Sequence, residues 1–507
     1  MSKNLTENQK IGLFIKNLRE SKDWTQGEFA KELGTSQSAV ARMESGEQNF
    51  TTETLTKISE TLNHKIIQLA DNSVDFEVEG GQTLSGSIDT NTSKNGAMGL
   101  LCASLLNKGT TILHGIPQIE EVKRILEVLE SIDVRVDWVG KNSLKIQPPK
   151  KLALDKINIS SASKTRTIIM FIGAIIHLEN SFSLPGAAGC KLGTRSIAAH
   201  AYGLENFGVK IKVGRQNFEI SHKGLKPSEF VMWEMGDTAT ENLLIAASKI
   251  PGKSLIKFAS SNYMVQDVCF FLQKLGVRIE GIGTHTITVY GKENINEDVE
   301  FYNSEDPIEA MMFVSAAIVT NSQITIKRVP IDFMEMELLK LEKLGFKYKK
   351  GRGYKSKNGE TNLVDITTFP STIKSSPEKI TSGPYPNINM DNLPFFVPIM
   401  ALSKGTTLIH DWSYENRAIY FMELTRLGAK MILADPHRVY VEGITEFQAA
   451  QVVCPPALRP AMIVLIAMLG AKGKSVLRNV YSIKRGYEEI AERLNTLGAK
   501  IKVIDGV

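Results

Sequence analysis

Hydrophobic and polar positions divide the chain into two stretches of different rhythm. Between residues 9 and 63, apolar positions recur at helical spacing in short runs: Phe29, Ala30 and Leu33 form a stripe behind Thr25, a break falls at Gly34, and a new start follows at Ser36. This pattern predicts four or five short helices, with a helix, a turn and a second helix over "TQGEFAKELGTSQSAVARMESG" (25–46). The polar "ADNSVD" (70–75) reads as a linker. From residue 76 a longer unit takes over.

That unit is an amphipathic helix running into a Leu-Gly step and then into alternating positions, repeated roughly every 70 residues. Its six copies read "ESIDVRV", "ENFGVKI", "QKLGVRI", "EKLGFKY", "TRLGAKM" and "NTLGAKI". In each, the glycine (Asp133 in the first copy) marks a helix end, and the alternation after it predicts a half-buried strand. A second helix with its own turn and strand precedes most copies, as in "LCASLLNKGTTILHGI" and "VPIMALSKGTTLIHDW". Six such units, three to a lobe, predict two similar α/β lobes with a cleft between them.

Composition adds bounds rather than detail. A chain of 507 residues calls for two to four domains, and 42% hydrophobic with 23% charged residues is ordinary globular composition. A net charge of +5 is too small to imply nucleic acid by itself, so any DNA contact is expected to be local. The N-terminus lacks an apolar signal core and no run of about 18 apolar residues follows, which points to a cytoplasmic chain with no membrane contact. The cysteines, at 102, 190, 269 and 454, lack CxxC spacing, so neither a metal site nor a disulfide framework is expected. Cys102, Cys269 and Cys454 lie in apolar or helical patterns and are expected in the core.

In the N-terminal stretch, Ser36, Gln37, Ser38 and Arg42 lie at the start and on the outer face of the second helix, where polar side chains suit base edges; Gln26 is placed to hold phosphate. The stretch resembles the XRE/Cro-like helix-turn-helix family over about 55 residues, which implies DNA binding by residues 1–70. A helical module for protein contact or dimerisation stays open.

The remainder resembles the enolpyruvyl transferase family over residues 76–505, in its UDP-N-acetylglucosamine branch. The strings that carry the likeness are "TSKNGA", "CKLGTR", "NINMDNLPFF", "YENRA", "ALRPA" and "IKRGYE". The resemblance implies an inverted-repeat fold, with lobe 1 formed by 76–93 and 305–507, lobe 2 by 94–304, and residues 71–75 linking them to the helical domain. It implies transfer of the enolpyruvyl group of phosphoenolpyruvate to the 3-hydroxyl of UDP-N-acetylglucosamine, an early step of peptidoglycan synthesis, with release of phosphate and no cofactor. Phosphoenolpyruvate carries a carboxylate and a phosphate, so cations are required, arginine above all. The matching positions are Lys94, Arg195, Arg417, Arg459 and Arg485. Asp391 matches the aspartate that contacts the attacking hydroxyl, and a helix cap is its plainer role. Cys190 matches the loop cysteine that handles a proton, with Lys191 and Arg195 nearby to favour thiolate. For the nucleotide sugar the resemblance points to Asn95, Arg166, His200, Thr240 and Asn242.

Four departures mark this sequence. The usual "LPGGC" is "LPGAAGC", two residues longer; the aspartate of "DLR" is Ala457; an aspartate of the "RPxDxH" string is Ala198; and the "REPE"-like segment is "SSNYMVQD". Three of the four touch the acceptor or proton-transfer side. Two alternatives therefore stay open beside the enzyme: transfer to a different nucleotide acceptor, or a DNA-binding regulator whose lobes sense a nucleotide sugar without turnover. A homodimer is compatible with either.

Overall fold

All six repeat steps become the same turn. In the computed structural model, which describes residues 7–20, 22, 24–62, 74–186, 196–214 and 217–505, a helix ends and a strand begins at each. The turning residues are Asp133, Gly208, Gly276, Gly345, Gly428 and Gly498, with φ of +65°, +96°, +83°, +101°, +92° and +95°. Left-handed backbone costs little for glycine and is tolerated by aspartate, whose short polar side chain bonds locally. Hence one copy can carry Asp133.

The chain divides into two compact units, Met1–Ser73 and Val74–Val507. The described part of the first contains helices Glu7–Glu20, Gln26–Leu33, Gln37–Ser45 and Thr52–Thr61. Thr25 and Glu28 cap the second reciprocally: the Glu28 N–H donates to the Thr25 hydroxyl at 3.2 Å, and the Thr25 N–H donates to the Glu28 carboxylate at 2.7 Å. Phe29, Ala30, Leu33, Val40, Met43 and Ile58 close the core. Beside it, Arg19 forks onto Glu44 at 2.6 and 3.0 Å, both side chains being almost fully buried.

In the second unit the described strands form six sheets in two groups around two separate hydrophobic cores. One core surrounds the buried helices Pro307–Val319, Phe396–Ala401 and Leu458–Gly470. The other surrounds Lys94–Ser104, Asp237–Ala247 and the short helical run Arg166–Ile175. These inner helices are buried on nearly all sides because sheets and amphipathic helices cover them. Strand Val74–Gly80 lies antiparallel between Gly473–Arg478 and Ile501–Asp505, and Ser85–Asp89 runs parallel to Gln323–Pro330. The beginning and end of this unit therefore share one lobe.

The chain crosses between lobes twice, side by side. Thr92 bridges Glu305, the Ser93 N–H donates to the Ser304 carbonyl at 2.7 Å, and the Asp306 N–H donates to the Asn91 carbonyl at 2.8 Å. Gly96 permits this closeness, since a Cβ there would meet Asn303 Oδ1 at 2.5 Å. Among the described residues no helix is long and apolar enough to cross a membrane.

Candidate active site

Three long buried helices begin where the crossovers meet, and their first turns carry charged side chains. Lys94 and Asn95 open Lys94–Ser104 behind the cap Ser93, Arg459 opens Leu458–Gly470, and Asp237 opens Asp237–Ala247. Unpaired N–H groups and the helix dipole make such ends receptive to anions.

Asp391 lies at the centre, on the stretch leading into Leu393–Phe395. Its Oδ1 is 3.4 Å from Arg417 Nη1 and accepts from the Tyr414 hydroxyl at 3.2 Å, while Oδ2 accepts from Arg459 Nη2 at 3.2 Å. Burial opposes ionisation, but the charges of Arg459, Arg417 and Lys94 outweigh it and hold the carboxyl down at about 2. Asp391 is an ionised acceptor across the whole neutral range. It is not a helix cap: the plainer role expected of it fails because its oxygens face side chains, with Asn392 standing next before the helical turn.

Arg417 is 1% exposed and held from three sides. Asp411 receives it through two bonds of 2.5 and 2.9 Å, the Met390 carbonyl accepts from Nη2 at 2.6 Å, and the Tyr414 ring lies 3.9 Å beneath the guanidinium. Arg459 donates to the Tyr487 hydroxyl at 2.7 Å. Lys94 pairs with Glu121 at 3.0 Å. Burial pushes the Glu121 carboxyl up, yet Lys94, Arg485 and Arg459 hold it below its usual value. Arg485 Nε is buried without a hydrogen-bond partner. The structure thus brings Lys94, Asp391, Arg417, Arg459 and Arg485 into one electrostatic cluster, with Asn95 beside it donating to the Tyr263 hydroxyl at 3.3 Å. Ala457 stands before Arg459, 4% exposed, with no side-chain cap bond to the helix.

Of the residues expected at the nucleotide sugar, His200, Thr240 and Asn242 form a second, uncharged group, within reach of the Arg166 charge. His200 accepts from Asn242 Nδ2 at Nδ1, 3.1 Å, which leaves its proton on Nε2, 3.5 Å from the Thr238 hydroxyl. Burial, with Arg166 adding to it, lowers this imidazole to about 3. Asn242 is fully buried and spends its whole amide inside: Nδ2 also donates to the Ile169 carbonyl at 3.1 Å, and Oδ1 accepts from the Gly173 N–H at 2.9 Å. Thr240, equally buried, donates to the Gly236 carbonyl at 2.8 Å and accepts from the Ser260 N–H at 3.0 Å. Thr240 and Asn242, expected at the nucleotide sugar, thus have their polar groups engaged inside the protein. They fix the helical run that begins at Arg166 and the turn at Ser260. Cys190, Lys191 and Arg195 lie outside the described residues.

Sequence reasoning missed Glu121, Asp411, Tyr263 and Asp237. An acid in the first turn of a helix is too common to single out, though Asp411 does sit within the quoted "VPIMALSKGTTLIHDW" and Tyr414 within "YENRA". In the N-terminal unit Gln37, Ser38 and Arg42 are exposed on one helix. Ser36 caps that helix, accepting from the Ala39 N–H at 3.2 Å. Gln26, expected to hold phosphate, is half-buried and donates to Glu44 at 2.9 Å. Cys102, Cys269 and Cys454 are buried, as their patterns predict.

Residues 78–494 match the EPSP synthase (3-phosphoshikimate 1-carboxyvinyltransferase) family, and residues 15–66 match a helix-turn-helix family. The chain belongs to the enolpyruvyl transferase family. Within that family it is 32% identical over 432 residues to a UDP-N-acetylglucosamine 1-carboxyvinyltransferase of Treponema denticola, covering 85% of this chain and 99% of the relative. Against the Borreliella burgdorferi protein of the same name it is 30% identical over 431 residues, covering 85% and 99%. The enolpyruvyl transferase NikO from Streptomyces tendae shares the fold with a TM-score of 0.73 at 20% identity, covering 86% of this chain and all of that one. EPSP synthase from Acinetobacter baumannii gives 0.67 at 15%, covering 85% and 100%. The two-lobed α/β architecture expected from the repeats is that of this family.

Proposed function

We propose that this enolpyruvyl transferase moves the enolpyruvyl group of phosphoenolpyruvate onto the 3-hydroxyl of UDP-N-acetylglucosamine or a closely related nucleotide sugar, and that its N-terminal domain places it on DNA. The observation that carries the reading is Asp391 ionised between Arg417 and Arg459, with Lys94 and Arg485 on the same side. The cations hold the donor's phosphate and carboxylate and balance the charge that develops as the phosphate leaves. Asp391 accepts a hydrogen bond from the acceptor hydroxyl and aims its oxygen at C2. The C2–O bond to the acceptor forms, the C2–O bond to phosphate breaks, and the hydroxyl proton departs with inorganic phosphate. Cys190 is the proposed proton carrier at the methylene carbon.

Phosphate release from phosphoenolpyruvate by purified full-length protein, measured with and without UDP-N-acetylglucosamine, tests this. Release that needs the acceptor supports it; none across a panel of uridine nucleotides overturns it. A second reading, a regulator whose lobes bind the same ligands without turnover, draws on Ala457, which leaves no carboxylate before Arg459. Tight ligand binding that shifts DNA affinity without phosphate release would favour it.

A further inference from the structure

The densest run of positive charge in the chain belongs to residues that the candidate active site does not use. The stretch "KYKKGRGYKSK" (347–357) holds six lysines and arginines and no acid, whereas the whole chain nets only +5, so everything outside this stretch is together slightly anionic. The helix-turn-helix unit shares in that: in residues 1–73, nine lysines and arginines stand against ten acids. Duplex DNA presents one phosphate charge per about 1.7 Å of its axis, and proteins hold it chiefly with lysine and arginine. The unit that resembles a DNA reader therefore brings no surplus of cations to the backbone.

The six cations lie along the edge of a five-stranded sheet. Strand Lys347–Lys350 pairs antiparallel with residues 366–369, the Gly351 N–H donates to the Asp365 carbonyl at 2.8 Å, and Tyr354–Lys355 pairs with Leu363 and Asn362. Phe346 and Tyr348, stacked at 5.5 Å, take the core side, which leaves Lys347 and Lys349 on the solvent side. Lys347, Lys349, Lys350, Arg352, Lys355 and Lys357 are all exposed. Lys355 donates to the Glu360 carbonyl at 2.8 Å and Lys357 lies 5.8 Å from the Tyr302 ring, yet neither contact brings a negative charge. Exposed cations on other strands stand beside a carboxylate, Arg135 by Asp137 at 2.7 Å, Arg438 by Asp435 at 2.6 Å and Lys500 by Glu79 at 2.8 Å; among the described residues none of these six is so paired. A row of like charges repels itself in the free protein, and a polyanion laid along it removes the repulsion.

Length and composition favour a duplex as that polyanion. Eleven residues of extended chain reach up to about 35 Å, close to one turn of B-DNA. Segments that lie on membranes add tryptophan, phenylalanine or leucine to their cations. Here tyrosine is the one aromatic type in the stretch, and the Tyr354 hydroxyl is spent on Asp365 at 2.7 Å.

We propose that the edge strand 347–357 is a sequence-independent binding surface for the phosphate backbone of duplex DNA. The choice of DNA over another polyanion rests on the reading of residues 1–70 as a DNA-binding domain, while the charge stands without it.

Anisotropy of a labelled random-sequence duplex of about 30 base pairs tests it, titrated with full-length wild type and with K347Q/K349Q/K350Q/R352Q at salt between about 50 and 200 mM. Removal of four phosphate contacts should weaken binding about tenfold or more and lower the slope of log affinity against log salt by about 3–4. An unchanged thermal midpoint separates this from unfolding, and K349Q/R352Q, with a slope change of about 2, serves should the fourfold variant melt early. A strand variant that keeps wild-type affinity and slope, while Q37A/S38A/R42A loses binding, overturns this inference alone. Weakened binding by the strand variant, with Q37A/S38A/R42A unchanged, upholds it and counts against the parent reading. A strand variant that keeps the duplex but loses phosphatidylglycerol vesicles bound by wild type makes the partner a membrane and overturns the proposal. Wild type that binds no duplex at the lowest salt overturns both readings.

Discussion

The cation cluster around Asp391 and the neutral group around His200 solve the same problem, fixing polar side chains in a buried place, by opposite means. Around Asp391 charge is balanced against charge: Arg417 against Asp411, Arg459 against Asp391, Lys94 against Glu121. Around His200 the hydrogen bonds run between uncharged groups, from Asn242 to Ile169 and from Thr240 to Gly236, with Arg166 the charge that acts on the imidazole. Buried ion pairs recover little net stability, because desolvation consumes the attraction, yet breaking one is expensive. They are worth keeping where an anion must arrive. Hydrogen-bonded neutral groups rigidify a wall without preferring any charge on the ligand.

Removing a partner from the first region should hurt most. Arg417→Leu strands Asp411 without a counterion, and chemical denaturation should show a loss of about 3–5 kcal/mol. Asn242→Ala in the neutral region should cost only about 1–3 kcal/mol, the desolvation of its orphaned partners. Equal losses would erase the distinction.

Asp391→Asn keeps the shape and removes the charge. Phosphate release should fall by about 10²–10⁴, the range of groups that handle the reacting proton, while phosphoenolpyruvate still binds. Retained activity would separate Asp391 from the chemistry.

Acid should find the two regions at different pH. The His200 imidazole, lowered to about 3, is neutral in the fold, whereas in the unfolded chain it takes a proton near its ordinary value of about 6.5. Its contribution is complete above about 6.5 and declines as pH falls towards 3. Asp391, at about 2, favours folding once the unfolded carboxyl has ionised near 4, and that contribution is lost only between about 4 and 2. His200→Gln should therefore flatten the fall in stability between pH 6.5 and 4, each unit of displacement being worth about 1.4 kcal/mol. Asp391→Asn should leave that interval unchanged. Melting temperature against pH for the three proteins reads both.

Thr240→Val is the smallest change, leaving the Ser260 N–H without its acceptor at a cost of about 1 kcal/mol. Acceptor affinity should weaken by a few-fold with the donor untouched. A weakened donor would show that the two regions act as one.

Much of the fold can be read from the chain because its repeat is local. A helix, a left-handed residue and a strand follow one another directly in each copy, and Asp133 stands out as the one copy where another residue takes glycine's place. The arginines were legible through short strings in a fixed order. What escaped depends on contacts between distant residues. Asn242 and Thr240 have the polarity of ligand contacts, and only the arrival of Ile169, Gly173 and Ser260 shows that their groups are already spent. Gln26 is the same case, bonded to Glu44 across 18 residues. Asp237 gives no signal in sequence, since its partners Ser260 and Asn262 lie more than 20 residues away.

The paired crossovers also set an order of assembly. Strand Val74–Gly80 completes its sheet with Ile501–Asp505, at the far end of the unit, and Ser85–Asp89 needs Gln323–Pro330. On the ribosome, one lobe must wait with its first strands unpaired until residues 501–505 emerge, while residues 94–303 have all their sheet partners among themselves once the second crossover is made. The middle of the chain is thus expected to fold before its ends, and a ribosome stalled near residue 330 should carry one protease-resistant lobe behind an open tail.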